Sequence, residues 1–332
     1  CEERYPPDSE ECQYVQELEQ KAEQGDESAQ FALGSWYAEG RYVKPDYKLA
    51  IKWLEKAGKQ GSDFSYFILG YHYNYGENFP LSRQKALEWY RKAAELGDSS
   101  TQEILGDAYM YGDGFPQNTQ LALEWYRRAA AQGLAEAQDA IGVMFMQGEG
   151  VSQDYQQALA WYRKAARQGL PAAQTHLGIM SAFGRGVAQS DRQAIAWYRK
   201  AAKQDFAKAQ YQLGVAYSTG RGVPENSRNA LKWYLKAAEQ GFTPAQLALG
   251  EIYAHGRQGV PKDNKQAYIW YYMASIYTEK SKDDCSALIA ERNRLKGTLT
   301  PDQLSETYAA FDLIRRKINQ SKEAKKIARK KY

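Results

Sequence analysis

The 332-residue sequence predicts an all-α solenoid of seven 36-residue helix–turn–helix repeats with helical caps. Two observations carry this prediction. Glycine recurs every 36 residues within helical patterns, at Gly34, Gly70, Gly106, Gly142, Gly178, Gly214 and Gly250. Tryptophan recurs with the same period, at Trp53, Trp89, Trp125, Trp161, Trp197 and Trp233, and one residue late at Trp270. Self-similarity at a fixed period of this length is typical of stacked helical repeats.

Composition excludes several other classes of protein. Aromatic residues make up 13% of the chain, whereas disordered chains are poor in aromatic residues. No stretch approaches the roughly 18 apolar residues of a transmembrane helix. Three cysteines are too few for a scaffold stapled by disulfides.

The N-terminal part is predicted to hold a polar tether, residues 1–9, and a capping helix, residues 10–28. The segment Glu10–Gly25 ends in A-E-Q-G, and Gly25 lies 36 residues before Gly61. This phase matches the second helix of a repeat. We therefore expect half a repeat that covers the first complete one.

Seven repeats are predicted over residues 29–280, and the sixth represents them all. Its first helix places Ala209, Leu213 and Tyr217 on one face, and the G-R-G turn after it ends that helix. Ser227 is the predicted N-cap of the second helix. The glycine inside each first helix predicts close approach of the paired helix, and the Trp-Tyr pairs are expected to fill space between successive repeats.

The C-terminal part, residues 281–332, is predicted to form capping helices that end in a basic tail. Thr300-Pro301-Asp302-Gln303 has the pattern of a capping box with proline at the first helical position. Residues 315–332 hold nine Lys or Arg and one Glu, whereas residues 1–30 hold ten acidic and two basic residues. The tail is interpreted either as a contact for an acidic partner or anionic lipid, or as a solvated helix end.

One motif identifies a known family. Between Ala209 and Gly241 the sequence contains A-x-x-x-L-G-x-x-Y-x-x-G-x-G-V and then A-x-x-W-Y-x-K-A-A-x-Q-G. This pattern resembles the Sel-one-like (Sel1-like) repeat, a relative of the tetratricopeptide repeat. The resemblance implies a right-handed α/α superhelix whose first helices line a concave face for binding another protein. The first repeats depart from the pattern at Leu54, Gly58 and Asn78-Phe79, and the third at Gly114-Phe115, which affects local turns.

The sequence contains no recognisable catalytic or metal-binding motif. The three histidines, His72, His176 and His255, lie in different repeats, and H-E-x-x-H, G-x-S-x-G and C-x-x-C patterns do not occur. We therefore predict a non-enzymatic protein without a cofactor or metal ion. A net charge of only +4 and the lack of a known module argue against nucleic-acid binding. Cys12 and Cys285 fall at opposite ends of the array, so no disulfide is predicted between them.

Variable positions of the first helices are the candidate contacts with a partner protein. They lie one, four and five residues after the repeated glycine. The predicted set is Tyr71, Tyr75, Met110, Tyr111, Met146, Phe183 and His255. Aromatic and thioether side chains suit an interface, but packing of the same side chains on neighbouring loops remains an alternative.

Cys1 is the first residue of the sequence, which resembles a mature bacterial lipoprotein. We therefore expect lipidation of Cys1 and a periplasmic location, at the outer rather than the inner membrane because Glu2 follows. The family resemblance favours an immunity protein that neutralises a phospholipase effector of type VI secretion. The alternatives are a scaffold for envelope or exopolysaccharide assembly, and a protein that binds peptidoglycan or another glycan.

Overall fold

The computed structural model describes residues 6, 9–76, 78–256, 259–278 and 286–329. Over these ranges the chain forms seventeen α-helices and no strand, which confirms the predicted all-α class. In chain order they are α1 (Glu10–Glu23), α2 (Glu27–Glu39), α3 (Tyr47–Lys59), α4 (Asp63–Tyr75), α5 (Arg83–Leu96), α6 (Ser99–Tyr111), α7 (Thr119–Ala131), α8 (Ala135–Gln147), α9 (Tyr155–Arg167), α10 (Pro171–Phe183), α11 (Asp191–Lys203), α12 (Ala207–Thr219), α13 (Ser227–Ala238), α14 (Thr243–His255), α15 (Asn264–Thr278), α16 (Ser286–Lys296) and α17 (Pro301–Arg329).

Two residues with predicted roles lie outside the described residues. They are Cys1, with most of the predicted tether, and Cys285. Lipidation of Cys1 therefore stays a prediction. Cys12 is described, and its thiol is free and buried. None of the described helices combines the length and the apolar character that a membrane span requires.

The chain divides into two compact units, Cys1–Ala165 (unit 1) and Ala166–Tyr332 (unit 2). In unit 1, each helix from α1 to α8 packs mainly against its neighbours in sequence. In unit 2 the same holds from α10 to α15, and both α16 and α17 pack on α15. The two C-terminal helices thus pack on the second helix of the last repeat. Every repeat contributes a first helix (α2, α4, α6, α8, α10, α12, α14) and a second helix.

The turns within the repeats follow from glycine and from short polar side chains. Each first helix ends at a glycine in the left-handed conformation, such as Gly220 with φ 70°. The second helix of that repeat begins after Asn226, whose side chain accepts a hydrogen bond from the Asn229 N–H at 2.9 Å. The prediction of Ser227 as N-cap was therefore wrong by one residue. Asparagine is an equally good N-cap, and its position relative to the helix decides the role.

The repeated glycine accommodates a tyrosine of the same repeat. At Gly106, an added Cβ would lie 2.4 Å from the ring of Tyr126, and at Gly214 it would lie 2.6 Å from the ring of Tyr234. The predicted close helix approach is thus present. The tyrosine of the Trp-Tyr pair, however, packs inside its own repeat rather than between repeats, because it comes from the second helix that faces this glycine.

A buried glutamine joins several of the repeats to the end of the preceding helix. In the third repeat, Gln102 of α6 donates to the Ala94 carbonyl at the end of α5 (3.0 Å). Its side-chain oxygen accepts a hydrogen bond from Gln132 (2.9 Å), which also donates to the Gly97 carbonyl (2.8 Å). We call this pair of glutamines the glutamine clamp. The same side-chain pairing recurs as Gln30–Gln60, Gln174–Gln204 and Gln210–Gln240.

The second repeat replaces the whole clamp at once. Tyr66 and Leu96 occupy the two glutamine positions. The Tyr66 ring packs over Gly58, where an added Cβ would lie 2.5 Å from ring atoms. The early departure at Gly58 therefore has a steric reason, since the smaller residue makes room for the tyrosine that replaces the polar contact.

Candidate protein-binding surface

The seven predicted contact residues fall into three degrees of exposure. Tyr75, Tyr111 and Phe183 are 46%, 75% and 58% exposed, and His255 is also exposed. Tyr71 and Met146 are half-buried. Met110 is only 5% exposed. Five of the seven lie in unit 1, and Phe183 and His255 lie in unit 2.

Exposure depends on the position within the first helix. The residue five after the repeated glycine is exposed in all seven repeats, at Glu39, Tyr75, Tyr111, Gln147, Phe183, Thr219 and His255. The residue four after it is buried or half-buried in every repeat. Adjacent residues of an α-helix point about a hundred degrees apart. The side chain at the fourth position therefore faces the packed interior, and the side chain at the fifth position faces outward.

Met110 belongs to the hydrophobic core rather than to the contact set. It packs in a cluster with Tyr126 and Ile141, against which Phe115 of the following turn is also packed. The Met110 carbonyl accepts a hydrogen bond from Gln117 (2.9 Å) in the same turn. The side chain is therefore covered by its neighbours, as the alternative of packing on loops proposed.

Unit 1 carries a row of aromatic side chains along α4. Phe64, Phe67, Tyr71 and Tyr75 follow one another at helical spacing, and we call them the α4 aromatic row. Ring centroids are 5.6 Å apart for Phe64–Phe67, 6.5 Å for Phe67–Tyr71 and 4.6 Å for Tyr71–Tyr75. Both ends of the row are exposed, Phe64 at 52% and Tyr75 at 46%. Phe64 and Phe67 were not among the predicted contact residues, although they lie seven and four residues before Tyr71, a spacing that marks one helix face.

Acidic groups lie near the exposed Tyr111. Asp107 of α6 accepts a hydrogen bond from the Tyr126 hydroxyl (2.6 Å), and burial raises the pKa of its carboxyl above the ordinary value. Burial raises the pKa of Tyr111 as well, and the nearby charges of Asp107 and Glu149 raise it further. Two carboxyl groups, those of Asp107 and Glu149, therefore lie close enough to Tyr111 to act on its hydroxyl.

The basic group that acts on Asp107 has other partners as well. Arg83, at the start of α5, donates to Asn74 (2.9 Å) and forms an ion pair with Asp113 (2.8 Å). Its positive charge is therefore shared with a carboxylate of the neighbouring turn.

Charge separates the two kinds of helix in unit 1. The first helices α2, α4, α6 and α8 contain seven Asp or Glu and no Lys or Arg. The second helices α3, α5 and α7 contain ten Lys or Arg and four Glu. Several of these cations lie over tryptophan rings, for example Lys92 over Trp89 at 4.0 Å and Arg128 over Trp125 at 4.5 Å.

Unit 2 places a different environment around the same helix position. Phe183 lies under two arginines, with Arg185 at 5.4 Å and Arg221 at 5.9 Å from the ring centroid. Arg221 also pairs with Asp191 at 3.0 Å. Phe183 of unit 2 thus has two arginines beside its ring, whereas Tyr111 of unit 1 has Asp107 and Glu149 nearby.

The described histidines have local structural contacts. His72 is buried and stacks on Phe79 with ring centroids 5.0 Å apart. His255 Nδ1 lies 3.0 Å from the Glu251 carbonyl oxygen. Within the described part of the chain, no three His, Cys, Asp or Glu side chains come together in a group that could hold a metal ion.

One open cavity of about 540 Å³ lies in unit 2, between the start of α15 and the segment before α17. Its lining includes Lys262, Asp263, Asn264 and Thr298. Asp263 caps α15 by accepting from the Gln266 N–H (3.0 Å), and Asn264 donates to Thr298 (3.0 Å). These polar groups join the last repeat to the C-terminal helices.

Comparison with known proteins gives consistent matches. The profile of the Sel1 repeat matches residues 27–62, 64–98, 99–134, 135–170, 171–206, 207–242 and 243–275. A Sel1 repeat protein from Oxalobacter formigenes is 34% identical, with a TM-score of 0.70 over 84% of this chain and 80% of that protein. No curated protein matches.

Two further solved structures are more distant. A protective antigen of uropathogenic Escherichia coli with an SLR fold is 27% identical, with a TM-score of 0.47 over 93% of this chain and 88% of that one. The immunity protein Pa5087 of Pseudomonas aeruginosa is 23% identical, with a TM-score of 0.46 over 59% of this chain and 75% of that one.

Proposed function

The chain belongs to the Sel1 repeat family, a helical solenoid fold typical of non-catalytic protein interaction, and from this premise we propose that it binds a partner protein through the first-helix surface of unit 1. One observation carries the proposal. Tyr75 and Tyr111 occupy the outward position of adjacent repeats and expose 46% and 75% of their surface. Exposed aromatic side chains on a rigid scaffold supply much of the binding energy at protein interfaces.

The finer form of the proposal concerns the partner. We propose a phospholipase effector of type VI secretion, which this chain would neutralise as an immunity protein in the periplasm. The motif between Ala209 and Gly241 supports this form, because lipoproteins that resemble this repeat class have that role. The lipid anchor on Cys1 belongs to the same proposal.

Co-purification tests both forms. The full chain is expressed together with the products of the adjacent genes, and growth is measured while the candidate toxin is produced in the periplasm. A stable complex and restored growth are the expected results. Absence of a complex with every neighbouring product contradicts the immunity role.

Substitution of the exposed tyrosines tests the surface. Tyr75→Ala/Tyr111→Ala is expected to weaken partner binding at least about tenfold, since two interface aromatic residues together contribute more than about 1.4 kcal/mol. Thr219→Ala is the matched control, because Thr219 occupies the same exposed helix position in unit 2. Both variants should retain the wild-type circular dichroism spectrum. Equal binding by the double variant and the wild type contradicts the proposed surface.

The glycan alternative predicts a different result in the same assay. Muropeptides would then quench tyrosine or tryptophan fluorescence in a saturable way, and Tyr75→Ala/Tyr111→Ala would abolish the quenching. Such a result without protein capture would replace the protein partner by a glycan.

A further inference from the structure

We infer that the partner presents a cationic segment, with Arg or Lys side chains between apolar residues, to the exposed tyrosines of unit 1. The inference rests on the proposed function and specifies the chemistry of its partner. Three features of unit 1 carry it: the exposed aromatic faces, the acidic groups among them, and the uneven distribution of charge between first and second helices.

The aromatic faces suit the stems and planar heads of cationic side chains. Tyr71 and Tyr75 lie 4.6 Å apart at one end of the α4 aromatic row, and Tyr111 of the next repeat is 75% exposed. A guanidinium or ammonium group over a tyrosine ring is attracted by the negative face of that ring. The methylene stem of Lys or Arg covers apolar surface at the same time.

The charges select a cation rather than an anion. Asp107 and Glu149 act on Tyr111, and α2, α4, α6 and α8 together contain seven acidic residues without Lys or Arg. An anionic segment would meet repulsion here, whereas an arginine that stacks on tyrosine could also donate to a carboxylate. The charge of Arg83 acts on Asp107 and is shared with Asp113, with which Arg83 forms an ion pair.

Two comparisons within the chain show that this surface is distinctive. The second helices α3, α5 and α7 of the same unit are rich in Lys and Arg. Phe183, at the position equivalent to Tyr111, lies beneath Arg185 and Arg221 in unit 2. Among these surfaces, the first-helix surface of unit 1 combines exposed tyrosines with acidic groups.

A peptide titration of the full-length chain tests the inference. The probe is a fluorescein-labelled acetylated octapeptide of alternating Arg and Leu. Peptides with citrulline or Glu in place of Arg have the same length and spacing. Fluorescence anisotropy at low salt should show saturable binding of the Arg peptide at least fivefold tighter than the citrulline peptide, and no binding of the Glu peptide. Affinity for the Arg peptide should fall as salt is raised.

Variants locate the binding site. Tyr75→Ala/Tyr111→Ala and Glu149→Gln should each weaken the Arg peptide at least threefold. Asp107→Asn should do the same if the variant folds, and Glu149→Gln keeps the test valid if it does not. Thr219→Ala and Glu251→Gln are the controls, because these residues occupy positions in unit 2 that are equivalent to Tyr111 and Asp107, and they should leave binding unchanged.

Three outcomes overturn the inference. They are equal binding of the Arg and citrulline peptides, binding of the Glu peptide at unit 1, and equal effects of the unit 1 variants and the controls. Failure of the inference is distinguishable from failure of the proposed function. Suppose that a native partner is captured, that the Arg peptide does not displace it, and that its Lys and Arg residues can be neutralised without loss of affinity. The binding function is then intact, and the inference of a cationic partner segment is refuted.

Discussion

Substitution of a surface glutamine of the clamp should destabilise this protein as strongly as a substitution in its interior. Gln132 is itself exposed, but its side chain donates to the oxygen of Gln102, which is only 4% exposed. Gln132→Leu removes this donor and leaves the buried oxygen without a hydrogen bond from the clamp. A buried polar group left without its partner costs about 1–3 kcal/mol.

The opposite partner should behave differently. Gln102→Leu removes two hydrogen bonds, one to Ala94 and one from Gln132. The Ala94 carbonyl keeps the hydrogen bond from the Gly97 N–H at 3.2 Å, and Gln132 can turn to water. The free energy of unfolding is expected to fall by about 1–2 kcal/mol. Each neutral hydrogen bond contributes about 0.5–1.5 kcal/mol net, and burial of the new apolar side chain offsets part of the loss.

A double-mutant cycle measures the coupling. Once Gln102 is replaced, Gln132→Leu no longer strands a buried oxygen, so Gln102→Leu/Gln132→Leu should cost less than the sum of the single variants by about 1 kcal/mol. Urea unfolding followed by circular dichroism and tryptophan fluorescence gives the free energies, provided that the two transitions coincide. Gln84→Leu, at an exposed position of α5, is the matched control and should change stability by less than about 0.5 kcal/mol. Strict additivity, or a Gln132→Leu effect no larger than that of Gln84→Leu, would refute this reasoning.

Two further predictions concern the third repeat. Gly106→Ala should lower the free energy of unfolding, measured in urea, by about 1–3 kcal/mol, because the new Cβ would lie 2.4 Å from the Tyr126 ring. This clash outweighs the gain of about 1 kcal/mol in helix propensity. A stabilised variant would contradict the close packing. Burial raises the pKa of the Asp107 carboxyl above 3.8, so the folded chain binds this proton more tightly than the unfolded chain does. The contribution of Asp107 to the free energy of unfolding therefore falls progressively as the pH rises from 3.8 through the raised pKa. Asp107→Asn should remove that component from the melting temperature measured across pH, and an unchanged profile would show that Asp107 does not titrate with a raised pKa.

Part of the candidate surface could be found from the sequence because exposure follows the repeat phase. Tyr75, Tyr111 and Phe183 share one outward position. Met110 lies one position before that phase, and a single residue step turned it into the core. Periodicity alone does not separate these adjacent positions, since both lie near the edge of the buried helix face.

The repeats themselves were determined by the sequence alone. Glycine and tryptophan at a fixed period predicted seven helix pairs, and seven repeats of paired helices are present in the structure. This part was predictable because helix ends and helix faces depend on residues a few positions apart. Local chemistry, repeated seven times, leaves little choice of secondary structure.

The tertiary structure decided which side chains meet. It placed each repeated tyrosine on the glycine of its own repeat and joined glutamines 30 residues apart into clamps. It also placed acidic groups near Tyr111 but arginines beside Phe183. These outcomes depend on contacts between helices, where a distance of a few ångströms sets hydrogen bonding and charge. Such distances are fixed by packing and are not encoded in the period of the sequence.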